Sequence, residues 1–247
     1  MMRPVAVVAA RELRSLFLQP LAWIVLTVMM LLNGWAFSRM LDLFGQYGET
    51  WVELVRFLLT SIVFWVPMLI GVPVIAMRLV AEERQTGTIE TLLSAPVTET
   101  QVVLGKFAAA WAFLFVLWSP LLIYFGVIEY YGDLDWGAAL AGFAGLLLIG
   151  GYFLAVALCV SICTRNQIVA ALVGFVAIFM LFLLPLLSDL ATQGTAWRSL
   201  FDHIDVYTAL DEMSRGVVKT GRIVYPASGI VLFLFVGARV LESVKGR

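Results

Sequence analysis

Six long apolar segments constrain the fold of this 247-residue chain more strongly than any other feature of its sequence. Each contains about 20 residues with few or no interior charges, the length that a helix needs to cross the hydrocarbon core of a bilayer. Such segments are too long for barrel strands, and a helix pairs its own backbone groups in lipid. The segments lie approximately at 21–37, 57–77, 102–127, 137–162, 168–187 and 223–241. They predict an all-α polytopic membrane protein with six transmembrane helices, in which residues 1–247 form a single transmembrane domain.

The composition agrees with a membrane protein and excludes several other classes. Hydrophobic residues make up 62% of the chain and charged residues 13%, whereas a soluble domain has about 45–50% and about 25%. The formal net charge of −1 provides no general attraction to nucleic acid. One histidine is too few for a histidine metal site, and two cysteines do not form a disulfide framework. We therefore expect no metal, cofactor or nucleic acid on this chain itself.

The distribution of lysine and arginine predicts the orientation in the membrane. With six spans and both termini in the cytoplasm, ten basic residues lie on the inner side and six on the outer side. Four of those six are in the longest outer loop, where the positive-inside rule is least strict. Both termini are therefore expected to be cytoplasmic.

Residues 1–20 have the pattern of an interfacial helix on the inner leaflet. Glu12 falls near the apolar face of this predicted helix and does not fit its pattern. Charged residues also interrupt the position where a signal peptide would have its apolar core. The alternative is a disordered basic tail. On a helical wheel, one face carries Val5, Ala9, Leu13 and Leu16, and the opposite face carries Arg11 and Arg14.

The longest inner connection, residues 78–101, has the pattern of a short capped helix between two breaks. Gly87 permits a break after span two, and Thr88 suits the N-cap of a new helix with Glu90 in its first turn. Thr98 and Gln101 have capping-box spacing for the helix that enters span three. The apolar face of the short helix would consist of Ile89, Leu92 and Leu93, and Pro96 would end it. Such a helix could transmit force from a docked protein, and the alternative is a capped loop resting on the bilayer.

The outer segment 189–222 is too polar to span and predicts short helices between spans five and six. One helical stripe in it is apolar and consists of Val206, Leu210, Met213 and Val217, with Gly216 and Gly221 as expected terminators. Asp202, His203 and Asp205 are expected to make caps and solvent contacts, because a catalytic zinc needs three well-placed protein ligands. Prolines in the spans, among them Pro67 and Pro120, predict kinks, and the glycines of span four predict close packing.

The inner connection resembles the coupling region of a known family. The run Glu83-Arg84-x-x-Gly87-Thr88-x-Glu90-x-Leu92-Leu93-x-x-Pro96-Val97 is similar to that of type-2 ABC exporter permeases, especially those of gliding motility and nitrous-oxide-reductase maturation. The similarity continues in 104–107, and weaker patches lie at 212–218 and 241–243.

The resemblance implies a half-transporter of the bacterial inner membrane. Two six-span subunits would pair, as a homodimer or with a related chain, and each would dock a separate ABC ATPase through the cytoplasmic coupling helix. The chain contains no phosphate-loop motif, so ATP and Mg would bind to the partner ATPase. An accessory membrane protein with an outer domain is a further expected partner. The expected ATPase-coupling residues are Glu82, Glu83, Arg84, Gly87, Thr88, Glu90, Leu92, Leu93 and Pro96.

The resemblance also implies an outer lid that dips back between spans five and six, formed by Val206, Leu210, Met213, Gly216 and Val217. A surface helix that shields the bundle without gating it is the alternative.

Two other functions are considered: an intramembrane enzyme would need clustered nucleophilic, acidic or metal-binding residues, and an ion-coupled carrier or channel would need interior charge or a filter. The transported substrate does not follow from the sequence.

Overall fold

The computed structural model describes residues 2–47, 51–86, 97–190 and 204–245. Within these residues the chain forms eleven helices and no strand. In chain order the helices are α1 Met2–Leu18, α2 Pro20–Tyr47, α3 Trp51–Thr60, α4 Ile62–Leu79, α5 Ala81–Thr86, α6 Glu99–Trp118, α7 Pro120–Tyr131, α8 Trp136–Cys163, α9 Gln167–Leu190, α10 Val206–Ser214 and α11 Thr220–Lys245.

Four helical segments of the described chain are long and apolar enough to cross a bilayer: Pro20–Phe44, Glu99–Tyr131, Trp136–Cys163 and Thr220–Ser243. A fifth candidate span is bent, since its segments Glu53–Val66 and Met68–Leu79 meet at 52°. The apolar segment Gln167–Leu183 of α9 is shorter than the others. The predicted all-helical membrane fold is therefore confirmed with four to five candidate spans, and the count of six stays a prediction.

The helix breaks have local causes. Ser61 separates α3 from α4, and its hydroxyl oxygen accepts a hydrogen bond from the Val63 N–H at 3.2 Å, which caps the new helix. Pro120 begins α7 directly after a turn at Ser119, because a proline lacks the N–H that would continue α6. Pro67, a predicted kink, lies between the two segments that meet at 52°.

The central helix of the bundle is α8, which is buried along most of its length. Its glycines permit close approach of α10. A Cβ atom on Gly142 would lie 2.5 Å from Leu59 Cδ1 and 3.1 Å from Ser214 Cα, and one on Gly145 would lie 2.8 Å from Met213 Sδ. The small residues of this span therefore determine how closely α10 packs against it.

The N-terminal helix α1 packs along the first turns of α6. A Cβ atom on Gly105 would lie 2.7 Å from Val8 Cγ1 and 3.2 Å from the Val5 carbonyl oxygen, so the two helices are in close contact. The buried face of α1 consists of Val8, Glu12 and Leu16. Helix α1 ends at Leu18, and α2 begins at Pro20. We call this end of the bundle, where α1 and the last turns of α11 lie against the start of α6, the terminal end.

Candidate functional site

A buried cluster of charges joins three helices at the terminal end. Lys106 of α6 is only 1% exposed. Its Nζ lies 2.8 Å from Glu83 Oε1 on α5 and 3.3 Å from Glu12 Oε2 on α1. Arg11 adds a charge from the more exposed side, with Nη2 at 2.7 Å from Glu12 Oε1 and 4.0 Å from Glu83 Oε1. We call Glu12, Glu83 and Lys106 the charged junction.

The buried opposite charges of this junction hold the three helices together. An ammonium group so deeply buried costs several kcal/mol in lost hydration, which only nearby opposite charges offset. Burial raises the pKa of Glu83 above its usual range, the Lys106 charge opposes that rise, and the neighbouring Glu12 carboxylate adds to it. Among the described residues, separation of α5 from α6 would leave Lys106 with Glu12 as its acidic partner. The three helices are therefore expected to move together.

A second set of contacts joins α5 to the end of α8. The Ala81 N–H donates a hydrogen bond to the Ser161 hydroxyl oxygen at 3.1 Å, and Ser161 is fully buried. The Arg84 guanidinium donates a hydrogen bond to the Ile162 carbonyl oxygen. Burial lowers the pKa of Arg84, and repulsion by Arg165 lowers it further. Helix α5 is thus held from two sides, by α6 through Glu83 and by α8 through its backbone and Arg84.

The end of α4 contacts the bend between α1 and α2. Arg78 Nη1 donates a hydrogen bond to Gln19 Oε1 at 3.1 Å, and its Nε lies 4.0 Å from Glu82 Oε2. A cavity of about 220 Å³ lies beside these residues, between α1 and the helices α4 and α5. Its polar lining includes Glu12, Ser15, Gln19, Arg78, Glu82 and Glu83.

The structure describes only part of the predicted coupling region. Glu82, Glu83 and Arg84 lie on α5 and make the contacts given above. Gly87, Thr88, Glu90, Leu92, Leu93 and Pro96 lie outside the described residues. The capping box that begins α6 is confirmed, because the Gln101 N–H donates to Thr98 Oγ1 at 3.3 Å and the Thr98 N–H donates to Gln101 Oε1 at 3.1 Å.

Sequence reasoning missed the charged junction. Glu12 was visible as an acid on the apolar face of α1, and Lys106 as a base at the start of an apolar span. Each was an exception to its local pattern, and the structure explains both exceptions by placing the two residues together. Their pairing depends on helix packing, which no local pattern specifies.

At the opposite end of the bundle, α10 packs its apolar stripe against α8 and α3. Val206, Leu210 and Met213 are buried, at 2%, 0% and 5% exposure. The helix ends at Ser214, and Gly216 adopts a left-handed φ of 79° that favours glycine. Val217 therefore lies beyond the helix and is 46% exposed, so the predicted stripe is one residue too long.

Charged side chains also hold α10 in place. Arg56 Nε of α3 lies 2.6 Å from Asp211 Oδ1. Glu212 is paired with Lys219 at 2.6 Å and with Arg222 at 3.2 Å. Asp205 is the N-cap of α10 and accepts hydrogen bonds from the N–H groups of residues 207 and 208. Asp202 and His203 lie outside the described residues.

A comparison with known families gives a match over a long part of the chain. Residues 18–184, which are more than half of the chain, match the family model described as ABC-2 family transporter protein. Glu83 and Lys106 lie within the matched range, whereas Glu12, α10 and α11 lie outside it. A comparison with curated proteins gives no match.

Proposed function

The chain belongs to the ABC-2 family of transporter proteins, and on that premise we propose that it is the six-span permease subunit of an ATP-driven exporter. As a multi-pass membrane protein of this family, it works with an ABC ATPase. In the proposal, each of two paired permease subunits docks one ATPase through residues 78–101, and ATP and Mg bind to the ATPase. The assembly lies in the bacterial inner membrane with both termini in the cytoplasm.

The observation that carries the proposal is the charged junction. In the chain, α5 directly precedes residues 87–96, the predicted cytoplasmic coupling helix, which we call the docking helix. Glu83 of α5 lies 2.8 Å from Lys106 of α6. A displacement of the docking helix by the ATPase would therefore act on α6 directly and on α1 through Glu12. Breaking the junction instead would leave a buried charge without its partner, which costs about 3–5 kcal/mol. Moving the helices as one unit avoids that cost.

The distribution of buried charge supports an ATP-driven permease over an ion-coupled carrier. In the described part of the chain, the buried charged residues are Glu12 and Lys106. Both belong to the junction at the terminal end of the bundle. A carrier driven by protons or ions normally places ionisable groups along the pathway through the membrane.

The outer lid is a further element of the proposal. The packing of Leu210 and Met213 against α8 supports a helix that closes the outer side of the bundle between spans five and six. Rearrangement of the spans after ATP binding would then change the contact between α10 and α8. The close approach at Gly142 and Gly145 makes that contact sensitive to small movements of α8.

Charge exchange at the junction tests the proposal. We expect Glu83→Lys to abolish co-purification of the ATPase or its stimulation by the permease, because two ammonium groups would repel each other. The double variant Glu83→Lys/Lys106→Glu restores one opposite pair but places a carboxylate beside Glu12, so we expect it to regain part of the coupling. Arg14→Gln, on the exposed face of α1, is the matched control. Full coupling in the single variant Glu83→Lys would contradict the proposal.

A further inference from the structure

A groove of about 370 Å³ lies between the terminal-end halves of α6 and α11, and the proposed transport cycle makes no use of it. Its floor includes Val103, Leu234 and Ala238, which are at most 9% exposed. Its wall includes Val231 and Phe235 of α11, which are 69% and 57% exposed. The groove is thus an apolar surface that opens sideways from a membrane-spanning bundle.

The length of the groove along α11 matches the thickness of one leaflet of a bilayer. On α11, its lining extends from Glu242 at the end of the helix to Val231, eleven residues deeper in the span. At 1.5 Å per residue that distance is about 16 Å. The hydrocarbon core is about 30 Å thick, so one leaflet contributes about 15 Å. An elongated molecule with a polar head and an apolar chain fits these dimensions.

The rim of the groove carries charges of both signs. It contains Glu99 of α6 and Arg239 and Glu242 of α11. Arg239 Nη1 lies 2.9 Å from Glu242 Oε2, and Arg239 Cζ lies 5.2 Å from the centre of the Phe235 ring. The Arg239 and Glu242 side chains are 64% and 58% exposed, and exposed ion pairs of this kind contribute little energy. They can therefore exchange partners with a bound headgroup at small cost.

We propose that this groove binds a phospholipid whose headgroup carries both a phosphate and a primary amine. The phosphate lies at Arg239, the ammonium group lies at Glu242, and one acyl chain lies along Phe235 and Val231. Among the described side chains of the rim, Arg239 and Glu242 carry one charge of each sign, which complements a zwitterionic headgroup better than a headgroup with a net negative charge. A primary ammonium also donates hydrogen bonds to carboxylates, which the quaternary ammonium of a choline headgroup cannot do. The inference does not rest on the proposed transport function.

Lipid retention tests this proposal. Purified protein is exchanged into micelles that contain equal amounts of phosphatidylethanolamine, phosphatidylcholine and phosphatidylglycerol, and retained lipid is measured by native mass spectrometry. We expect selective retention of phosphatidylethanolamine. Retention of all three lipids in equal amounts, or preference for phosphatidylglycerol, would overturn the proposal.

Variants locate the retained lipid. Ala238→Trp fills the floor, and Val231→Trp narrows the wall at an exposed position where misfolding is not expected. Arg239→Gln removes the phosphate contact. All three are expected to lose the preference for the ethanolamine lipid, whereas Ile123→Trp, at a 67% exposed position on α7, keeps it. Unchanged preference in Val231→Trp and Arg239→Gln would contradict the proposal.

A second test excludes occupation by protein. If another copy of this chain covers the groove, a cysteine at Phe235 would form disulfide-linked dimers in native membranes. We expect no such crosslink in a variant that also lacks Cys159 and Cys163. An efficient crosslink would assign the groove to a subunit interface and overturn the lipid proposal.

Discussion

Gly105 of α6 faces Val8 of α1 so closely that a Cβ atom on Gly105 would lie 2.7 Å from Val8 Cγ1 and 2.8 Å from Val8 Cβ. Neither Val8 atom is at the end of a flexible side chain, so a larger residue at position 105 must push α1 away. The contact lies next in sequence to Lys106 and thus determines how closely α1 brings Glu12 to the charged junction.

Substitution of Gly105 is therefore expected to destabilise the terminal end. Gly105→Ala should lower stability by about 1–3 kcal/mol, the usual cost of overpacking, and Gly105→Leu by more. Thermal unfolding in detergent measures the effect. Gly126→Ala is the matched control, because a Cβ atom at Gly126 would meet no atom from another part of the described chain within 4 Å. Equal stability of the two alanine variants would show that α1 does not pack closely on α6.

Removal of one charge from the junction should cost more than removal of all three. Lys106→Met leaves Glu12 and Glu83 in a poorly hydrated site without their shared ammonium partner, and we expect a loss of about 3–5 kcal/mol. The triple variant Glu12→Gln/Glu83→Gln/Lys106→Met removes the charges together and should recover most of that stability. Thermal unfolding of both variants provides the comparison.

The same triple variant distinguishes stability from coupling. If the junction transmits force, the stable triple variant should still show weakened stimulation of the ATPase. Full stimulation by the triple variant would mean that the charges contribute to folding alone.

Local sequence patterns predicted the all-helical fold and the capping box of α6, but not the contacts between helices. The capping box at Thr98 and Gln101 was predictable, because all its atoms belong to four consecutive residues. The apolar stripe of α10 was predictable up to Met213. The prediction failed at Val217 because the helix ends at Ser214 and Gly216 adopts a positive φ beyond that end.

The charged junction was beyond such patterns for a physical reason. Glu12, Glu83 and Lys106 lie on three helices, and their energies depend on burial that arises only when those helices pack. The break at Ser61 was also missed, since apolar residues such as Leu59 and Ile62 lie on both sides of it and the hydropathy pattern continues through it.

Changes in the predicted docking helix should uncouple the ATPase without preventing membrane insertion. Gly87→Pro restricts the backbone where a break is expected, and Glu90→Lys places a positive charge at the positive end of the predicted helix. We expect both to lose co-purification of the ATPase while the membrane-inserted amount is unchanged. Binding and transport at the level of the unmodified protein in both variants would contradict the role of residues 78–101.

Cysteine labelling can test the position of α10 in the membrane. In a variant without Cys159 and Cys163, cysteines at Leu210 and Met213 should be protected from an impermeant thiol reagent, because both positions are buried. A cysteine at Val217, which is 46% exposed, should react from outside the cell.

If α10 acts as a lid, labelling at Met213 should change when the ATPase is trapped with ATP. Labelling at Val217 should not change. Reaction at Val217 from the cytoplasm alone would overturn the proposed orientation, and labelling independent of nucleotide would favour a shielding helix.

Acid should release the segment after α10, because the pKa of Glu212 is lowered in the folded protein. Burial of the Glu212 carboxyl opposes its ionisation, but the hydrogen bonds and charges of Lys219 and Arg222 outweigh that effect. A carboxylate with a lowered folded-state pKa contributes stability that is fully present above its ordinary value of 4.5 and is lost as the pH falls through the folded-state pKa.

A spin label at Val217 should therefore be restricted at neutral pH and become more mobile in acid below that ordinary value. In Glu212→Gln the label should be mobile at neutral pH already, with little further change in acid. An acid transition of the same size in Glu212→Gln would assign the pH dependence to another group.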